Sequence, residues 1–205
     1  MHPWSLVARR GLNWNFAMFD AQCDLAALVY DKDQDPDAVL HTFAADLSKQ
    51  GIRAVGLVQL GHREFDVPKL TAVMLHTGAH VRLFQDLGPG AKGCKLDVGQ
   101  LLDAGTQVAD AIDEGADLVI INRFGKQERE GKGLAYLIER ALSSDIPVVI
   151  AVPLHRFAEW IAFADGMSVK LHCDRESLDG WWAKVSCRTE GLIRQDHRSV
   201  CEVVK

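Results

Sequence analysis

The sequence predicts an α/β fold, a mostly parallel sheet with helices on both faces and a small antiparallel hairpin inserted into it. Three observations lead there. Leu118 to Ile121 is a run of four apolar, mostly β-branched residues without polar alternation, which is how a strand covered on both faces reads. Leu25 to Tyr30 and Ile146 to Val152 are similar uncharged runs. Between such runs lie segments with apolar residues at three-to-four spacing, so strand and helix alternate as in a parallel α/β sheet.

Taken in order, residues 1–22 hold Trp4, Trp14, Phe16 and Phe19 among polar residues without a period. They read as an N-terminal arm that packs on the domain or on a second subunit, or as a chain end with no fixed place. A single α/β domain is expected over 23–187, and 188–205 reads as a polar C-terminal tail. The first strand stops at Asp31-Lys32-Asp33-Gln34-Asp35-Pro36-Asp37. Asp35 can cap a helix whose first turn holds Pro36, and Val39, Leu40, Phe43 and Leu47 carry its stripe until Gly51. A second strand runs from Ile52 and ends at Val58 to Gly61, which implies a right-handed parallel crossover. Residues 61–70 read as a loop, and Thr71 to His76 with Val81 to Phe84 as a hairpin turning at Thr77-Gly78-Ala79-His80. A glycine-rich connection, 85–97, leads to a helix striped by Leu101, Leu102, Val108, Ala109 and Ile112 and closed by Gly115. The central strand follows, then a polar loop, a helix through Leu134, Leu137, Ile138, Ala141 and Leu142, and the strand ending at Pro153. Phe157 to Phe163 is a predicted helix, Ser168 to His172 an edge strand and Glu176 to Val185 a last helix.

Composition removes several function classes. The 205 residues, 48% of them hydrophobic, suffice for one complete core. Net charge is −5 with a pI near 5.9, and no basic run tracks a phosphate backbone, so nucleic acid is not an expected partner. Five cysteines, odd in number and without a C-x-x-C pair, indicate reduced thiols in a cytoplasm. No apolar run reaches the roughly 18 residues of a membrane span, and Arg9-Arg10 is followed by no apolar signal core. The expectation is a soluble, unexported, cytoplasmic protein.

Several motifs invite chemistry. Gly88, Gly90 and Gly93 spell G-x-G-x-x-G, where backbone amides could cradle an oxyanion with Lys92 or Lys95 neutralising charge. Pro89 removes one of those amides, so a plain turn is the other reading. The Asp31, Asp33, Asp35, Asp37 series imitates a calcium loop but has Pro36 at position six and Thr42 at position twelve, and reads as a solvated, helix-capping loop. His76 and His80 flank a turn at Gly78, not a helical metal pair. Cys187, His197 and Cys201 are three metal ligands without a fourth, and no metal site is assigned. Neither G-x-S-x-G nor H-E-x-x-H occurs, and no catalytic residue is assigned. Trp181-Trp182 reads as a core and interface aromatic pair.

The segments L-A-A-L-V-Y-D-K-D-Q-D-P-D-A-V-L, G-I-R-A-V-G-L-V-Q, Q-D-L-G-P-G-A-K-G-C-K-L-D and I-N-R-F-G-K-Q-E-R-E-G-K-G-L resemble an uncharacterised bacterial domain-of-unknown-function family. The resemblance covers roughly 24–165 and implies a gene neighbourhood of molybdate transport. More distantly, the layout is similar to that of small P-loop nucleoside triphosphatases. The departures from that pattern are specific. Where it would place G-x-x-x-x-G-K-[ST], this chain has Asp31 to Pro36, with no glycine for amides to converge on phosphate and no Ser or Thr for magnesium. Asn122 and Arg123 stand where metal-holding acids would, although Gly125 and Glu128 fit.

What remains at predicted strand ends, where open α/β sheets bind ligands, is a group of oxyanion-friendly residues. These are Gln59, Asn122, Arg123 and Lys126, joined by Lys92, Lys95 and the amides of Gly88, Gly90 and Gly93, with Glu128 setting geometry by pairing. A solvated mixed-charge loop is the alternative for Arg123 to Lys132. The expected function is therefore non-hydrolytic binding of a small anionic ligand, a molybdate or tungstate oxyanion or a phosphorylated molecule. The family resemblance implies a role accessory to molybdate handling, with molybdate-transport components as partners, and a homo-oligomer is expected. Two readings of other classes stand beside it: a nucleotide-binding hydrolase or transferase with an atypical site, and an interaction subunit whose aromatic arm docks a partner.

Overall fold

Strand β1 (Leu25–Tyr30) is buried at every residue but Tyr30 because it lies inside a sheet covered on both faces. The computed structural model describes residues 23–60, 71–83 and 96–199, with backbone alone for 188–199. The arm 1–22, the loop 61–70, the glycine-rich 84–95 and residues 200–205 lie outside the described residues.

After β1, the Asp35 carboxylate accepts from the Ala38 amide at 3.0 Å and caps helix α1 (Pro36–Lys49). Pro36 fits the first turn, where an N–H would have no helical acceptor. Gly51, at φ 79°, supplies the left-handed residue just beyond the helix. Strand β2 (Ala54–Leu60) begins two residues later than the sequence suggests. The Arg53 amide donates instead to the Asp117 carboxylate at 2.7 Å, and the Asp117 amide to the Arg53 carbonyl at 2.9 Å.

Strands β3 (Thr71–Met74) and β4 (His80–Arg82) form the expected hairpin. It closes early, with the Gly78 amide donating to Met74 O at 2.8 Å and the Met74 amide to Ala79 O at 2.9 Å, so His76 sits in the turn and not in the strand. Helix α2 (Val98–Asp113) starts ahead of its apolar stripe because Asp97 caps it through the Gln100 amide at 3.0 Å. Strand β5 (Leu118–Ile121) leads to a single unanticipated turn of helix, α3 (Lys126–Arg129), and then to α4 (Ala135–Ser143). Strand β6 (Val148–Pro153), a 3-10 turn over Leu154–Arg156, α5 (Phe157–Phe163), β7 (Val169–His172) and α6 (Arg175–Ser199) complete the described elements. The last helix runs well past Val185, so the beginning of the polar tail is helical.

Among the described residues the sheet has seven strands in the order β4-β3-β2-β5-β6-β1-β7, with β5 at its centre. The pairings β2-β5, β5-β6, β6-β1 and β1-β7 are parallel, and β3 and β4 extend one edge by antiparallel pairing. On one face Leu40, Phe43 and Leu47 of α1 pack with Leu178, Trp181 and Val185 of α6. On the other, α2 and α4 pack with Trp160 and Ala164 from α5 and its end. Trp181 belongs to the core and donates its indole N–H to the Cys23 carbonyl at 2.9 Å, while Trp182 packs beside it. Among the described residues no helix is long and apolar enough to cross a membrane.

Candidate functional site

In this order the neighbouring strands β1 and β6 send their next helices to opposite faces of the sheet, α1 to one and α5 to the other. A crevice opens beyond the carboxyl ends of strands at such a switch point, and ligands of open α/β sheets bind there. The residues at that place are Tyr30 at the end of β1, Asp35 and Asp37 entering α1, Arg156 after β6, and Cys173 after β7. Arg123, two residues beyond β5, reaches the same place.

The Arg123 Nη2 donates to both carboxylate oxygens of Asp37, at 3.1 and 3.4 Å. Asp37 lies in the first turn of α1 with its side chain 5% exposed, against 23% for Arg123. The guanidinium also stands 5.5 Å from the centre of the Tyr30 ring. Its Nε is buried and makes no hydrogen bond. What holds Arg123 up is the next residue. Phe124 is fully buried, donates its amide to the Ala151 carbonyl at 2.8 Å and packs edge-on against Trp160 at 5.2 Å.

Burial raises the Tyr30 hydroxyl pKa, opposed by Arg123 and Arg156 and reinforced by Asp37 and Cys173. The Cys173 thiol is pushed up to about 11, first by burial and then by Asp174, Asp35 and Asp37. Only the thiolate is a nucleophile, so Cys173, buried and with its thiol held protonated, is expected to resist maleimide in the native protein at neutral pH and to react once the protein is unfolded in urea at the same pH. Peptide mapping after labelling, with exposed Cys187 as the reactive comparison, checks this.

Of the residues singled out in the sequence, Gln59 and Asn122 are brought together. Both are buried; the Gln59 amide donates to Asn122 Oδ1 at 3.1 Å, and Asn122 Nδ2 to Gln59 Oε1 at 3.4 Å. They tie the end of β2 to the end of β5. Lys126 opens α3 and is exposed. Glu128 is 6% exposed, and its two carboxylate oxygens accept from the Gly125 amide at 3.0 Å and the Leu134 amide at 3.2 Å. It thus braces both ends of the 125–134 loop through backbone amides and not by pairing with Arg123 or Lys126. Gly88, Gly90, Lys92, Gly93 and Lys95 lie outside the described residues.

Sequence reasoning does not reach Tyr30, Arg156 or Cys173, and it reads Asp37 only as part of an acidic loop. One signal was available, since Tyr30 and Asp37 bracket the loop that follows the first strand. Among the described residues no group of three or more His, Cys, Asp or Glu side chains could hold a metal ion.

A family described as "Protein of unknown function (DUF2478)" matches residues 25–181. The chain is 39% identical over 178 residues to the molybdenum import ATP-binding protein ModC 2 of Bradyrhizobium diazoefficiens. That alignment takes in 86% of this chain but 20% of the relative, so the chain spans about a fifth of the curated protein it matches. Among solved structures, that of a human cancer-related nucleoside triphosphatase superposes with a TM-score of 0.53 at 14% identity. The superposition covers 88% of this chain and 99% of that one, a likeness of fold alone.

Proposed function

We propose, from the premise that this chain belongs to the DUF2478 family of proteins of unknown function, that it is a non-hydrolytic binding protein of molybdate handling. Its ligand is a small tetrahedral oxyanion taken into the crevice around Arg123. The observation that carries this reading is the state of that guanidinium. It stands at the switch point of the sheet with one amino group on Asp37 and its Nε buried without a partner. A buried N–H left unpaired costs about 1–3 kcal/mol, and the partly exposed Arg123 side chain recovers it by turning to bring Nε onto an oxyanion oxygen. Arg156 is near enough to act on the same Tyr30 hydroxyl, with its charge shared with Glu159 at 3.3 Å. Lys126, exposed at the start of α3, completes the proposal as its rim.

The absence of hydrolysis is supported by the loop from Asp31 to Pro36, which contains no glycine, serine or threonine. Asp35 and Asp37 already serve the amino end of α1, where a nucleotide phosphate would otherwise take backbone amides. A triphosphate brought there meets carboxylates. Molybdate or tungstate is favoured by the relative named for molybdenum import, and the same likeness supports our placing the chain beside transport components in the cytoplasm.

A thermal-shift series with molybdate, tungstate, sulfate, phosphate, and ATP with and without magnesium tests the proposal. Ligand at a hundredfold its Kd raises stability by about 2.7 kcal/mol, a readily visible shift. Molybdate or tungstate is expected to shift the parent and not Arg123→Ala. A shift with magnesium-ATP alone, joined by phosphate release, would overturn the non-hydrolytic reading in favour of a nucleotide enzyme.

A further inference from the structure

Three large apolar side chains stay exposed side by side on the outer surface of α2 and α4: Val98 at 39%, Leu102 at 44% and Tyr136 at 40%. Val98 and Leu102 are four residues apart on α2 and so share one side of it. Gly105 continues that side, and a Cβ there would stand 2.8 Å from the Tyr136 hydroxyl, so the Tyr136 side chain lies against α2 one turn beyond Leu102. The result is a continuous strip from the amino end of α2 across to α4. Single exposed hydrophobics are ordinary on a protein surface, whereas a contiguous group marks a contact.

The flank of the strip is acidic. Helix α2 contains no lysine or arginine, and its exposed Asp103 and Asp110 form no ion pair among the described residues. Arg140 of α4 is bound to the Asp113 carboxylate. Two copies of the chain set face to face here would bring like charges together, which opposes self-association through this surface. A segment of the chain itself has the complementary character. Residues 1–19 hold Arg9 and Arg10 with Trp4, Trp14, Phe16 and Phe19, and no acidic residue. That segment joins the domain at Cys23, which packs against the same core cluster as α2 and α4, on their face of the sheet. The Cys23 thiol donates there to the Met167 carbonyl at 3.5 Å. Cys23 stands thirteen positions after Arg10, a length of chain that spans up to about 45 Å, against about 24 Å for the whole of α2. Reach is ample.

We propose that the strip of Val98, Leu102 and Tyr136 is the docking surface for this chain's own N-terminal arm, residues 1–22. The arm's aromatic residues cover the strip, and Arg9 and Arg10 meet Asp103 and Asp110. Burial of the apolar side chains supplies the attraction, and the charges fix which segment is accepted.

The test places p-benzoylphenylalanine at Leu102 of the 205-residue chain and identifies the photoproduct by peptide mapping. A cross-link to a peptide within residues 1–22, in a species of monomer mass, is expected. Trypsin supplies a second measurement on the chain without the photoprobe. Cleavage after Arg9 and Arg10 should be at least about tenfold faster in Leu102→Glu than in the parent, because proteolysis follows the population of the released state. Asp103→Lys should act in the same direction, and Ala45→Glu, an exposed position on α1 across the sheet, should leave the rate unchanged. A photoproduct that lacks residues 1–22, or one of dimer mass, overturns the proposal, the latter in favour of a second copy as the occupant. Cleavage as fast in the parent as in Leu102→Glu overturns it as well. None of these outcomes depends on whether Arg123 binds an oxyanion.

Discussion

Asp37→Asn is expected to move stability and ligand affinity in opposite directions. Asparagine keeps the shape but removes the charge opposite Arg123, and a hydrogen bond to a charged group contributes about 1.5–3 kcal/mol, so unfolding in urea should shift to lower denaturant by about 1–3 kcal/mol. At the same time the crevice loses its internal competitor. Two unit charges 4 Å apart interact by about 4 kcal/mol at the effective dielectric of a protein surface, and even a third of that is tenfold in affinity. Molybdate should therefore bind Asp37→Asn at least about tenfold more tightly than the parent, measured by isothermal titration. Arg123→Ala lowers stability too, yet it should abolish binding. If Asp37→Asn loses stability and molybdate affinity together, the Asp37–Arg123 pair is a structural strut and the ligand is not in this crevice.

This pair also shows how far the sequence could be read. The strands and helices were legible because their signals are local: uncharged β-branched runs, the Asp35-Pro36 helix start, the glycine exits at Gly51 and Gly115. The fold class followed from their alternation. Boundaries moved where a long-range contact intervened, as when Asp117 took the Arg53 amide ahead of β2. Arg123 was legible as a cation at a strand end. Its partner was not, because Asp37 is 86 residues away in sequence and meets it only once β1 and β5 lie in one sheet with β6 between them. Glu128 was legible as important and misread in role: its partners are backbone amides, which carry no signature in the sequence of side chains.

Gly56→Ala is the substitution expected to cost most, and it acts on the site from below. Gly56 lies in β2 directly opposite Ile120 of the central strand, with φ at 135°, a conformation L side chains rarely adopt. A Cβ there would overlap the Ile120 carbonyl oxygen and stand 2.9 Å from its carbonyl carbon. Both belong to the backbone of the sheet's middle strand, so neither can swing aside as a side-chain tip would. The same residue's carbonyl accepts the Leu75 amide at 3.0 Å, so displacing it also loosens the hairpin. Strain and overlap together place the expected loss at about 4 kcal/mol or more, or roughly 10–15 °C in melting temperature for a domain of this size, read by circular dichroism. Three residues further along β2, the Gln59 amide holds Asn122, the residue before Arg123. Whatever Gly56→Ala protein folds should for that reason bind molybdate more weakly than its stability loss alone explains. A melting temperature within about 3 °C of the parent would mean that β2 and β5 do not approach this closely.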